Sequence, residues 1–295
     1  MPDTLSLSPV LSSTVCELGE GPSYEPETDT LWWFDILGKT LHELHLPSNT
    51  EHAHALPWMA SVAARIDDER QLLATESGVF IRNRKDGTFI RYCDLEEDKT
   101  QNRSNDGRVH PSGSLWIGTM GKAAEDGAGS IYHVANGQAR KLFGDISIPN
   151  SICFSPDGTI GYYVDTRVNR LMHVAIDPAT GLPLGLPEVL TDTSDRPGGM
   201  DGSVCDALGN IWNARWGAGA VECYSPDGKL LASHPLPAKR TTCPVFYGLA
   251  LNRLAVTSSW EGLSSEERQA DPLAGQLLRL PLEVHGKPEP AFRLE

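Results

Sequence analysis

A chain of 295 residues with 40% apolar content, 28 glycines and 21 prolines can fill a large core, yet is cut by turn formers into short elements. Its net charge of −14 argues against a nucleic-acid partner, which needs clustered Lys and Arg, and no apolar run nears the ~20 residues of a membrane span. The start, Met1-Pro2-Asp3-Thr4, has no basic region leading into an apolar stretch, and the six cysteines form no Cys-x-x-Cys pair, so a cytoplasmic protein with reduced thiols is expected and a zinc-ribbon or thioredoxin-type site is not.

From the N-terminus, a lead-in to about Val15 holds a candidate strand at Leu5–Leu11. Six apolar runs follow, beginning at Leu31, Leu72, Leu115, Ile160, Ile211 and Leu254, with starts 41, 43, 45, 51 and 43 residues apart. A repeat of this length with several short strands per unit predicts a β-propeller with four antiparallel strands per blade. Alternating segments supply the outer strands: Leu41–His45, Glu51–Leu56, Gly78–Ile81, Phe89–Tyr92, Ser130–Val134, Leu171–Ala175, Ala220–Tyr224, Gln276–Leu280 and Ala291–Leu294. Ser264–Ala270 is the one stretch suited to a turn of helix. The widest gap holds the Pro/Gly-rich insertion Pro178–Pro187, too short for another blade. The expected architecture is therefore all-β, one six-bladed propeller over 1–295, with an N-terminal strand pairing beside the C-terminal ones.

Polar residues recur ahead of the second strand. Asn105, Asn150 and Asp201 each lie ten residues before Leu115, Ile160 and Ile211, and Glu20 lies in a similar place one residue further from Leu31. In a propeller these positions open the channel-lining strand of successive blades, so the four side chains are expected at one mouth of the channel. Val62 and Pro244 fall at the matching places in blades two and six and would leave the ring polar on one side. Carboxylate and amide oxygens gathered at one point suit a hard divalent cation, Ca²⁺, Mg²⁺ or Mn²⁺, and tolerate Zn²⁺. Each residue also has a plainer reading. Asn105-Asp106-Gly107 fits a type I′ turn, Asn150 and Asp201 fit backbone capping, and Arg103 fits a surface ion pair. His110 aligns with turn positions, and Trp32, Trp116 and Trp212 recur as blade core. No Gly-x-Ser-x-Gly motif supports a serine hydrolase.

With these segments in view, the chain resembles the gluconolactonase/regucalcin (senescence-marker-protein) family. The resemblance lies in Leu18–Pro22, Asn102–Gly107 with Leu115–Met120, Asn150 before Ser155–Gly158, and Met200–Val204 before Gly209–Trp212. It implies a six-bladed propeller and a hydrolase opening a sugar lactone, a small-molecule substrate, to its aldonic acid. It further implies one divalent metal on Glu20, Asn150 and Asp201, substrate contacts from Arg103 and Asn105, and a lid at Gly121–Gly129. Asp201 would both hold the metal and take a proton from the attacking water. Cys243–Gly248 departs from the family's Cys-x-Phe-Gly-Gly in what would be pocket wall. The competing readings are a calcium- or ligand-binding propeller without catalysis, and a hydrolase of phosphotriesters or other esters.

Overall fold

Runs of β-branched and aromatic residues, broken every few positions by Gly, Pro, Asp or Asn, favour short pleated strands joined by tight turns. The computed structural model describes residues 8–295, where such strands form six four-stranded antiparallel sheets. After β1 (Val10–Ser12), the first blade is β2 (Gly19–Glu25), β3 (Thr30–Asp35), β4 (Thr40–His45) and β5 (Thr50–Ala55). The second is β6 (Ala60–Arg65), β7 (Arg70–Thr75), β8 (Gly78–Asn83) and β9 (Phe89–Cys93). Blade three is β10 (Asn102–Val109), β11 (Leu115–Gly121), β12 (Gly129–Ala135) and β13 (Gln138–Ile146). Blade four is β14 (Pro149–Phe154), β15 (Ile160–Asp165), β16 (Arg170–Ala175) and β17 (Glu188–Asp192). Blade five is β18 (Gly199–Cys205), β19 (Ile211–Trp216), β20 (Ala220–Tyr224) and β21 (Leu230–Pro235). Blade six is β22 (Thr241–Tyr247), β23 (Arg253–Ser258) and β24 (Leu277–Leu280), with β1 as its outer strand. The expected turn of helix is α1 (Ser265–Ala270), held by a capping box between Ser264 and Glu267.

The ring closes through inner strands and through blade six. Each inner strand packs on the next, β2 on β6 and so round to β22 on β2. Six apolar clusters form the core, one between each pair of adjacent blades. Trp32, Trp116 and Trp212 are buried in three of them, as expected. β1 supplies the closing strand, with Val10 opposite Leu278 and Ser12 opposite Leu277. Of the candidate strand Leu5–Leu11, residues 5–7 lie outside the described residues, and the observed strand begins at Val10.

One expected strand is absent. Ala291–Leu294 is irregular, because β1 already holds the outer edge of blade six. The tail instead crosses the far face of the ring as a strap. Ala207 N–H donates to His285 O, Phe292 N–H to Arg65 O and Arg293 N–H to Gly113 O, tying blade five to blades two and three. Phe292 is 2% exposed and fills the cluster between blades two and three. The insertion Pro178–Pro187 adds no blade. Its Gly181 O accepts from Trp116 Nε1, and its Thr180 O accepts from His133 Nε2.

Phe292→Ala would leave a cavity in that cluster. Denaturant unfolding is expected to show a loss of about 3 kcal/mol in stability, with the far-ultraviolet spectrum of the folded state unchanged.

Candidate active site

The channel is lined by the first strand of each blade, and every one of these strands is bulged near its start. The ladder slips between Glu20 and Ser23, Ala60 and Val62, Ser104 and Gly107, Asn150 and Cys153, Met200 and Ser203, and Thr241 and Pro244. A bulge sets an extra residue on one strand and re-aims the side chains around it. Two of the bulges use left-handed backbone, at Gly21 (φ 52°) and Ser151 (φ 57°). A Cβ on Gly21 would sit 1.9 Å from Ser61 O, and one on Gly202 would sit 2.4 Å from Cys243 Sγ. The glycines that follow Glu20 and Asp201 are therefore what lets neighbouring inner strands come this close.

The ladder corrects the equivalence drawn from spacing. Glu20, opposite Phe34, and Asn150, opposite Val164, are the last paired residues before their bulges. Ser104 and Met200 hold that place in blades three and five, so Asn105 and Asp201 lie one residue further on, inside the bulge. Counting across the hairpin turn hides the offset, because blade four's turn closes from Ser155 to Ile160, one residue longer than His110–Ser114 and Asp206–Asn210. Val62 and Pro244 likewise fall just past the bulge. Level with the polar residues, blades two and six instead present hydroxyls already engaged by neighbours. Ser61 Oγ donates to Ser104 Oγ at 2.8 Å, and Thr242 Oγ1 donates to Gly19 O at 2.5 Å.

Despite the offset, the five candidate residues meet. All are buried: Glu20 8%, Arg103 8%, Asn105 7%, Asn150 4% and Asp201 5% exposed. Arg103 Nη1 donates to Asn105 Oδ1 at 2.7 Å, and Asn105 Nδ2 donates to Asn150 Oδ1 at 3.1 Å and Pro149 O at 3.0 Å. Asn105-Asp106-Gly107 is thus part of strand β10, and Arg103 is buried against Asn105 instead of lying in a surface ion pair. His110 is structural as expected, its Nε2 2.8 Å from Gly158 O. Cys243–Gly248 runs along the inner strand β22 to its end at Tyr247, with Gly248 just beyond and Cys243 packed on Gly202. Gly121–Gly129 lies at the same mouth as Glu76, where Lys122 Nζ is 2.6 Å from Glu76 Oε2 and donates to Thr100 O at 2.9 Å.

Burial of like charges dominates the electrostatics. Desolvation, then the nearby Asp106 carboxylate, pushes Glu20 up to about 8, against relief from the Gly21 N–H, Arg103 and Arg108. Asp201 is held well above the usual carboxylate range by burial and by Glu20 and Asp106. Burial raises Asp106 to about 6, with Arg108 pulling the other way. Burial disfavours the Arg103 charge, which Glu261, Glu20 and Asp201 help to hold. Such a group of carboxyls favours either protons or a cation. Among the described residues no three His, Cys, Asp or Glu side chains form a ready metal cage, so a grip on a metal also needs a neutral oxygen. Asn150 Oδ1, which accepts from Asn105 Nδ2, is the neutral oxygen available for it. Two carboxylates and an amide oxygen fit a hard divalent ion with positions left for water and substrate.

Spacing missed Asp106 and Arg108 as channel residues. Asp106 accepts Gly107 N–H at 2.9 Å and Ile152 N–H at 2.7 Å, pinning blade three to blade four. Arg108 is paired with Glu289 of the C-terminal strap and donates to Ser203 O at 3.2 Å. Opposite charges two apart on a channel-lining strand were the available signal, since such residues share a face.

Fold and site together define a class: a six-bladed propeller that gathers oxygen donors and one guanidinium at a mouth of its channel. The chain belongs to the SMP-30/gluconolactonase/LRE-like family, whose sequence profile matches residues 18–260, as the motif resemblance leads one to expect. It is 55% identical over 284 residues to a Rhizobium meliloti (strain 1021) protein provisionally named a sugar lactone lactonase, covering 96% of each chain. It is 31% identical to a Pseudomonas putida 6-deoxy-6-sulfogluconolactonase, covering 93% of this chain and 94% of that one. A crystal structure of a calcium-binding protein, regucalcin, from Agrobacterium tumefaciens str. C58 superposes with a TM-score of 0.96 at 56% identity, covering 97% of both chains.

The raised carboxyls give a pH prediction. Folded Glu20 keeps its proton up to about 8, whereas the unfolded chain loses it near the ordinary glutamate value of 4.5. In that window the folded metal-free protein binds more protons, so its stability falls as pH rises. Glu20→Gln is expected to raise the melting temperature of the metal-free protein at pH 8 and to leave it little changed at pH 4. A cation bound there would have to displace those protons. Calorimetry in buffers of different ionisation enthalpy should therefore show proton release, with affinity climbing from pH 5 to pH 8.

Proposed function

We propose that this protein is a lactone hydrolase that opens a sugar lactone to its aldonic acid at the mouth where Glu20, Asn150 and Asp201 meet, with those three residues holding one divalent cation. The observation that carries the reading is the convergence of two buried carboxyls and an amide oxygen beside Arg103 and Asn105. The named lactonase relatives supply the substrate class. When bound, the cation supplies Lewis acidity toward the lactone carbonyl and its developing oxyanion. Arg103 spends Nη1 on Ser104 O and Asn105 Oδ1, and its other N–H groups are directed to ring or hydroxyl oxygens of the sugar. Fixing the lactone there removes orientational freedom before reaction.

Water adds to the carbonyl carbon, and Asp201 takes its proton. In the metal-free protein burial and Glu20 raise that carboxyl's proton affinity; ionised, it serves as the base. The ring C–O bond then breaks and the departing ring oxygen receives the proton, leaving a hydroxy acid. Gly121–Gly129, anchored by Lys122 on Glu76, covers the bound substrate as a lid. The competing reading, a calcium-binding propeller without turnover, uses the same oxygen donors and is favoured by the name of the regucalcin structure.

The readings separate on a panel of five- and six-ring sugar lactones, scored by acid release after chelation and after return of Ca²⁺, Mg²⁺, Mn²⁺ or Zn²⁺. Hydrolysis lost with the chelator and restored by one of these ions is expected. Cation binding with no turnover on any lactone would favour the calcium-binding reading. Asp201→Ala is expected to lower kcat by at least about 10²-fold at saturating metal while the protein stays folded; turnover near wild type would reject its role.

A further inference from the structure

An amide can bind a metal only through its oxygen, so a ligand asparagine must be held with its NH₂ turned away. In this chain, the hydrogen bonds around Asn150 decide that orientation. Thr166, just past the end of blade four's second strand, donates its hydroxyl proton to Met200 O at 2.7 Å. With that proton committed to a carbonyl that can only accept, the Thr166 oxygen is left to receive Asn150 Nδ2 at 2.9 Å. Asn150 Oδ1 then faces the other way, where Asn105 Nδ2 meets it at 3.1 Å. Asn105 Oδ1 receives Arg103 Nη1 at 2.7 Å. The relay runs from an end that can only donate, Arg103, to an end that can only accept, Met200 O. Every donor between them therefore points the same way, and neither amide can flip without breaking a bond at each side.

The Thr166 rotamer is fixed as well. Its Cγ2 would lie 2.7 Å from a Cβ built on Gly199, so the methyl packs where only glycine leaves room and the hydroxyl is aimed between Asn150 and Met200. Met200 directly precedes Asp201, so the same hydroxyl couples two of the candidate ligand residues across the boundary between blades four and five.

We propose that Thr166 is a positioning residue that presents the Asn150 oxygen to a divalent cation. The proposal rests on the metal reading given above and assigns a role to a residue outside the candidate ligand set. The test uses Mn²⁺ alone, with binding to the full chain read by loss of the free-ion EPR signal. Thr166→Val keeps the methyl and the shape but removes the hydroxyl; it is expected to weaken Mn²⁺ binding by about 10- to 100-fold with the melting temperature of the metal-free protein little changed. Thr166→Ser keeps the hydroxyl and is expected to restore binding to within about twofold of wild type. In an Asn150→Asp background both ligand-side atoms are oxygens and orientation no longer matters, so adding Thr166→Val should there cost little. Equal Mn²⁺ affinity for Thr166→Val and wild type would overturn the proposal, as would a Thr166→Ser variant as weak as Thr166→Val, or the same loss in the Asn150→Asp background. A wild-type protein that binds no Mn²⁺, Ca²⁺ or Zn²⁺ would overturn the metal reading itself, a result these variants cannot mimic.

Discussion

Glu20 and Asp201 lie within Coulombic reach in a place that water barely enters; burial and Glu20 raise the Asp201 pKa, and Asp106 raises both. Burying like charges is costly unless a proton or a counter-ion arrives. The surrounding structure keeps them there. Six bulged strands aim side chains at one mouth, glycines let the strands approach, and Asp106 ties blade three to blade four through Ile152 N–H. The cluster therefore has an unmet need for positive charge, a property that suits a site for a hard cation and suits a stability optimum poorly.

The rest of the molecule is arranged to hold that mouth still. Apolar clusters lie between blades, not within one sheet, so no blade can move without opening two interfaces. The ring is shut twice. β1 completes blade six beside β24, and the C-terminal strap brings Glu289 to Arg108 inside the channel while Phe292 locks between blades two and three. With the far end occupied by the strap, the polar cluster sits near the opposite mouth, where Gly121–Gly129 is anchored by Lys122.

Much of this was legible in one sequence. The spacing of the six second-strand runs yields the blade count, and the need for a propeller to close on itself predicts the N-terminal strand beside the C-terminal ones. Glu20, Arg103, Asn105, Asn150 and Asp201, picked out by spacing and motif, do come together. The register was less legible. A hairpin turn one residue longer in blade four shifts Asn150 relative to Asn105 and Asp201, and Val62 and Pro244 stand one step past the channel level. Ala291–Leu294 alternates like a strand but finds no free edge, because β1, distant in sequence, already pairs with β24.

Sequence by itself determined which residue types recur and at what interval, since strand period and turn chemistry are local properties of neighbouring residues. It thereby set the six-bladed class and the oxygen-rich chemistry of one mouth. Only the tertiary structure decided the bulges, the burial that raises the carboxyls, and the one-way hydrogen-bond relay from Arg103 to Met200 O. Three of the four relay bonds join groups 16 to 45 residues apart, and separation in sequence carries no information about which lone pair faces which proton.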